Sequence, residues 1–309
     1  MKYSDIFKRR LSCENEDEVF KYLLDHLKET IRGWDFFVAW GKIMKQVRNV
    51  EVVLNILNYL IGKENIREEF KMLVNKYPEI VEVLPILLAL REKNIKILVP
   101  IENNVFNYKE YTFYKKEKYT ADEIELLVEF AEKTGLLLLF KKNIKNVVDY
   151  VIGVEVGLDT NARKNRSGTA MEMITEIFIK KICAENNYRY ISQATSHKIK
   201  IYLGYDVVVD KSGRSFDFAI DNGHRLYLIE TNYYGGGGSK LKSVVGEFSN
   251  LFNFLKERTP EHGFIWITDC IGWEMAEKPL RESFDKVDYI LNIDMVQNNI
   301  LEDIIVQGL

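Results

Sequence analysis

The chain has 309 residues, 47% of them hydrophobic and 29% charged, with a formal net charge of −3 at pH 7. This is the balance of a globular protein, and it argues against one that merely coats nucleic acid. The richest apolar run, IVEVLPILLAL, carries Glu82 and Pro85 and is about half of what a membrane span needs, so no membrane association is expected.

The first residues, MKYSDIFKRR, lack the apolar core of a signal peptide. Cys13, Cys183 and Cys270 are isolated and form no CxxC pair, which fits a reducing cytoplasm. The four histidines are scattered without metal-ligand spacing. Residues 1–150 read as a mainly helical region. VEVVLNILNYLIG has helical apolar spacing and stops at Gly62, and PEIVEVLPILLALREKN begins at Pro78. TADEIELLVEFAEKTG opens with the capping pair Thr120 and Glu123 and closes at Gly135. IKILVP and EYTFYKK are strand-like exceptions.

The texture changes near residue 150, where a second domain, 151–309, is expected. VIGVEVGLDTNARKNRSG is rich in Gly and Asn and reads as a loop, and MEMITEIFIKKICAE as an amphipathic helix. KIKIYLGYDVVV, FDFAI, RLYLIET and GFIWITD read as strands, with a helix over GEFSNLFNFLKERTPEHG. This order implies a mixed sheet with helices on it. Charge is uneven: residues 161–260 hold fifteen Lys and Arg against ten Asp and Glu, and 261–309 hold three against ten.

FDFAIDNGHRLYLIETN carries the chemistry. Asn222-Gly223 signals a two-residue hairpin turn, which sets Asp217 opposite Leu228. Glu230 is then the diagonal neighbour of Asp217, about 7–8 Å away, and Asn232 shares their face. The other face, with Phe216, Phe218, Ile220, Tyr227 and Ile229, is a core face. Two close carboxylates repel, and a hard divalent cation relieves the conflict. The alternative is a solvated edge hairpin with acids for solubility.

Glu172 is a candidate third acid, or only the second half of a capping box with Thr169. Asn161, Arg163, Lys164, Asn165 and Arg166 suit phosphates and base edges, or make an ordinary polar loop. YYGGGGSK misses the P-loop pattern, because Ser239 precedes Lys240 where Gly is required. Lys240 and Lys242 could still meet phosphates there. Asp269 reads as a turn initiator or as a residue near the cleft, and Trp266 and Trp273 as packing residues.

Three blocks together, GVEVGLDTNARKNRSGTAME, FDFAI…LYLIETNYYGGGGSKL and FIWITDCIGWEMAEKPLRESFD, resemble the DpnII/MboI family of type II restriction endonucleases. The resemblance extends into the helical half. It implies an α/β (mixed α+β) fold with a PD-(D/E)xK restriction-endonuclease-like core, a mixed sheet flanked by helices. It implies Mg²⁺-dependent cutting of double-stranded DNA at 5′-GATC-3′, before the G and blocked by adenine N6-methylation. It also implies a homodimer paired with an adenine-N6 DNA methyltransferase. On the motif, Asp217 and Glu230 are the metal-binding acids and Glu172 the accessory acid. Asn232 stands where the general motif has Lys, which leaves the water-orienting group open between Asn232, a second metal and Lys240. The rival readings are a non-catalytic DNA-binding module and a repair nuclease on the same fold.

Overall fold

A computed structural model describes residues 5–99, 107–233 and 239–309. These form two compact units, Met1–Phe36 with Lys164–Leu309, and Phe37–Arg163. The division therefore lies elsewhere than near residue 150, because the first 36 residues fold with the C-terminal part. Among the described residues no helix is long and apolar enough to cross a membrane.

The unit Phe37–Arg163 is helical around one core that includes Leu54, Phe70, Phe113 and Phe140. Its helix Ala121–Lys133 has the expected capping box, and Gly135 takes the left-handed conformation that ends it. Strands β1 (Asn94–Leu98) and β2 (Tyr108–Thr112) pair antiparallel. PEIVEVLPILLALREKN departs from a single helix: a 3₁₀ stretch Pro78–Val83 leads into a short α-helix Leu84–Leu87. Pro85 has no N–H to continue the ladder across that junction.

The loop expected over 151–168 is instead part of a helix running Val147–Asn186. Burial explains it. Val147, Val151, Glu155 and Asp159 are buried at intervals of four, as are Met171, Thr175 and Ile179. The two buried acids are satisfied: Arg91 donates to Glu155 at 2.5 Å, and the Ala39 N–H to Asp159 at 3.2 Å. Tertiary packing overrides the poor propensity of Gly153, Gly157 and the asparagines.

The other unit is built on a five-stranded sheet, ordered β3 (Arg189–Thr195), β4 (Ser215–Asp221), β5 (Leu226–Tyr233), β6 (Gly263–Asp269) and β7 (Tyr289–Leu291). β3, β4 and β5 are antiparallel, and β5, β6 and β7 parallel, so the sheet is mixed as expected. KIKIYL, expected as a strand, is a helix over Ser196–Leu203. Thr195 caps it and Gly204 closes it in the left-handed region; these end signals outweigh the alternation of Lys and Ile.

The helix Ser239–Arg258 packs on one face of the sheet through Phe248 against Trp266, and Ile300–Gln307 on the other through Tyr227. The N-terminal segment is tied to the acidic C-terminal part by charge. Arg9 and Arg10 both reach Asp303 at 2.8 Å, and Tyr22 and Lys28 both reach Asp294. Asp269 accepts the backbone N–H groups of Lys28 at 2.7 Å and Ile293 at 2.9 Å, and so acts as a buried staple.

The hairpin turn is longer than expected. Asp221 pairs with Leu226, which leaves the four residues 222–225 outside the ladder. Asn222 organises this turn by accepting the N–H groups of His224 at 3.0 Å and Arg225 at 2.7 Å, while its Nδ2 donates to Ile305 O at 2.7 Å. Asn222→Ala strands these backbone groups and should cost about 1–3 kcal/mol. Urea unfolding at neutral pH measures it; a loss within experimental error would show that the turn is held by something else.

Candidate active site

The two-residue shift in register preserves which side chains share a face but brings the acids closer in the lattice. The β4–β5 ladder ends at Phe218↔Ile229, so Asp217 and Glu230 are the next residues outward and stand opposite each other rather than diagonally. Here the strands are bridged by a side chain. Asp217 Oδ2 accepts the Thr231 N–H at 2.7 Å and its hydroxyl at 2.8 Å. Across the sheet, Glu230 pairs with Trp266 and Asn232 with Thr268. On the β3 side the ladder passes on either side of Gln193, opposite Asp217, and Gln193 has φ of 48°.

Glu172 lies in mid-helix, so the capping box with Thr169 does not form. Its carboxylate instead accepts Gln193 Nε2–H at 2.9 Å. Glu172, Asp217 and Glu230 thus gather at one end of the sheet. Burial and the neighbouring charge of Asp217 push both Glu172 and Glu230 above the usual carboxylate range, Glu230 well above it. Burial also raises Asp217, against the two hydrogen bonds from Thr231.

Glu230 is 6% exposed, and among the described residues its buried Oε1 has no hydrogen-bond partner. Among the described residues the cation paired with it is Arg214, whose Nη1 is 4.0 Å from Oε1, an ion-pair distance but too long for a hydrogen bond. Arg214 is itself buried and clamped. Asp210 takes its Nε at 2.8 Å and Nη2 at 2.7 Å, and Glu247 takes Nη1 at 3.2 Å. Asn232 is also buried: its Oδ1 accepts Trp266 Nε1–H, and its Nδ2 has no partner among the described residues.

Sequence reasoning missed Gln193 and Arg214. Gln193 sits on a strand that was not read, and the only sign of Arg214 was a single Arg in KSGR before the hairpin. The remaining expected site residues are not brought to the acids by any described contact. Asn161, Arg163, Lys164 and Asn165 belong to the helix Val147–Asn186, but their side chains lie outside the described residues, as does that of Lys240. Arg166 donates from Nη1 to Phe36 O at 3.0 Å. Lys242 is exposed on the helix Ser239–Arg258, and residues 234–238 of the glycine run lie outside the described residues.

Among the described residues no three His, Cys, Asp or Glu side chains are arranged to cage a metal ion by themselves. The donor set nonetheless fits a Mg²⁺-like ion, which takes one or two protein carboxylates and completes its shell with water and substrate phosphate. The unpartnered Oε1 of Glu230 facing the charge of Asp217 is the observation that supports this fit.

The chain also matches known proteins over most of its length. The family model described as DpnII restriction endonuclease matches residues 19–303. The chain is 48% identical over 292 residues to the type II restriction enzyme MjaIII of Methanocaldococcus jannaschii, covering 93% of this chain and 99% of that protein. It is 40% identical to the type II restriction enzyme LlaDCHI of Lactococcus lactis subsp. cremoris, covering 96% and 98%. It is 37% identical to the type II restriction enzyme DpnII of Streptococcus pneumoniae, covering 92% and 98%.

The raised carboxyl groups predict a pH signature in metal-free protein. A carboxyl whose folded pKa exceeds its unfolded value contributes most stability in its protonated form, and that contribution is lost as pH rises through the folded pKa. Paired acids such as Asp210 and Asp303 have lowered pKa values and act only at more acidic pH. In EDTA, Glu230→Gln should therefore melt above wild type by a few degrees at pH 8, a gap that closes toward pH 5. A gap independent of pH would mean that Glu230 carries no buried charge.

Proposed function

Because this chain belongs to the DpnII family of restriction endonucleases, and with it to the type II site-specific deoxyribonucleases, we propose that it makes double-strand cuts in DNA at 5′-GATC-3′. The cut falls before the G and is blocked by N6-methylation of the adenine. The observation that carries the site assignment is the buried, unpartnered Oε1 of Glu230 beside Asp217, where β4 and β5 part.

Asp217 and Glu230 would hold a divalent cation, Mg²⁺ by preference, which supplies charge to the scissile phosphate and acidifies the attacking water. Around it the protein's own groups set the geometry. Thr231 fixes one oxygen of Asp217, and Gln193 orients Glu172, the accessory acid. Arg214 lends buried positive charge to Glu230. Asn232 has no charge and cannot serve as a base at neutral pH. Its unpartnered Nδ2 makes it a donor to phosphate oxygen, and Lys240 is a further candidate from the helix start. In the net reaction a water oxygen bonds to phosphorus and the bond from phosphorus to the 3′ oxygen breaks, leaving a 5′-phosphate and a 3′-hydroxyl.

Asn161, Arg163, Lys164, Asn165, Arg166, Lys240 and Lys242 are the proposed DNA contacts. Lysine and arginine heads there suit phosphates, and Arg163 or Arg166 could read guanine. A palindromic site calls for two-fold symmetry, so the working form is a homodimer, with residues 1–150 contributing to the dimer and the DNA cleft. The enzyme works in the cytoplasm alongside an adenine-N6 DNA methyltransferase that protects the host's own sites.

Digestion of one plasmid prepared with and without adenine methylation tests the reading. The expected result is the GATC fragment pattern from unmethylated DNA and an intact methylated plasmid. Asp217→Ala should lose cutting by several orders of magnitude while its circular dichroism spectrum is unchanged. A fragment ladder unrelated to GATC overturns the specificity, and normal cutting by folded Asp217→Ala overturns the site.

A further inference from the structure

Asn232 stands two residues after Glu230 on β5 and so lies on the same face as the acids. An amide has two unlike ends, a carbonyl oxygen that only accepts and an NH₂ that only donates. Which end faces the site decides what Asn232 can do there, and its neighbour settles the matter. The Trp266 indole nitrogen can only donate, and it donates to Oδ1. Among the described residues the end left without a partner is therefore Nδ2, with two N–H bonds, in a side chain 7% exposed.

Trp266 is held firmly in that role. It is fully buried on β6, edge-on to Phe248 at 5.0 Å and to Trp273 at 5.7 Å. Trp273 is anchored in turn, donating from Nε1 to Thr268 Oγ1 at 2.8 Å. Thr268 is the residue paired with Asn232 across the β5–β6 ladder. The amide thus rests on a rigid aromatic pair, whereas Arg214, the nearby cation, is occupied by Asp210 and Glu247.

A buried donor left unpaired costs about 1–3 kcal/mol. Such a group is useful where an anionic oxygen arrives during function, because it then gains a charge-assisted bond without reorganising. We propose that Trp266 is a positioning residue for cleavage: it fixes the Asn232 amide so that Nδ2 donates to an oxygen of the scissile phosphate. This inference rests on the nuclease reading above. It assigns the buried tryptophan a part in the reaction beyond packing.

The test is a mutant cycle in single-turnover cleavage at saturating Mg²⁺ and DNA, on a duplex that wild type cuts. Asn232→Ala should slow cleavage by about 100-fold, as loss of an anion-stabilising donor does. Trp266→Phe keeps the ring but removes the donor, and should slow cleavage by about tenfold or more, since small misplacements of a reacting group are costly. Because Trp266 acts through Asn232, the double variant should match Asn232→Ala within about twofold. DNA affinity measured with Ca²⁺ in place of Mg²⁺ should be unchanged in all three. Asn232→Asp, which keeps the shape but presents an acceptor, should cut no faster than Asn232→Ala. This variant carries the test if Trp266→Phe fails to fold.

Multiplying losses in the double variant would reduce Trp266 to a packing role, and wild-type rates in Trp266→Phe would do the same. Near-normal cutting by Asn232→Asp or Asn232→Ala would overturn the donor. A wild-type protein that cuts no duplex at all would instead remove the nuclease reading, and this inference with it.

Discussion

The constraint on which the site depends is like charge crowded at the point where two strands part, with Glu230 buried and Asp217 half-buried beside it. β4 and β5 pair as far as Phe218 and Ile229 and no further. Beyond that pair the backbone ladder gives way to Asp217, whose carboxylate takes the Thr231 N–H in place of a carbonyl. Glu230 then has its Oε1 enclosed with no hydrogen bond from the described residues, and burial first, then Asp217, raises its pKa. A fold does not gain stability from this arrangement. Crowded carboxyls raised by burial and by a neighbouring acid are a common mark of functional sites.

The positive side of the balance is arranged so that it does not close the site. Arg214 is near enough to soften the charge of Glu230 but lies at 4.0 Å, drawn off by Asp210 and Glu247. Glu247 is shared with Lys211 at 2.9 Å. A direct salt bridge between Arg214 and Glu230 would satisfy the orphan oxygen and compete with an incoming ion. The network holds the guanidinium back from that contact, which leaves Oε1 open to the proposed cation.

What was legible in the sequence followed physical signals that act locally. The capping box at Thr120 and the apolar alternation around FDFAI and LYLIET are carried by adjacent residues, and the structure shows both. The sharing of one face by Asp217, Glu230 and Asn232 survived an error in register because a shift of two keeps every side chain on its side. The error came from Asn222, read for its turn preference with Gly223. Its side chain accepts two turn N–H groups and donates to Ile305, 83 residues away, a bond no local pattern reveals. The helix Val147–Asn186 was hidden for the same reason: Glu155 is buried because Arg91 meets it. Gln193 and Arg214 were invisible for want of β3 and of the loop geometry that delivers them.

An uncharged residue at position 232 follows from the company it keeps. A lysine there would place its ammonium in a buried pocket beside the Trp266 indole, whose N–H is itself a donor and needs an acceptor. Asparagine meets both demands, because one end accepts from Trp266 while the other remains a donor. Arg214 already provides fixed positive charge from the turn before β4, 4.0 Å from Glu230. On the proposed reading, charge comes from one element and a directed N–H pair from another, two tasks that a single lysine would combine. In that proposal the donor is tied to the packing of β6, through Trp266 and its edge-on contacts with Phe248 and Trp273.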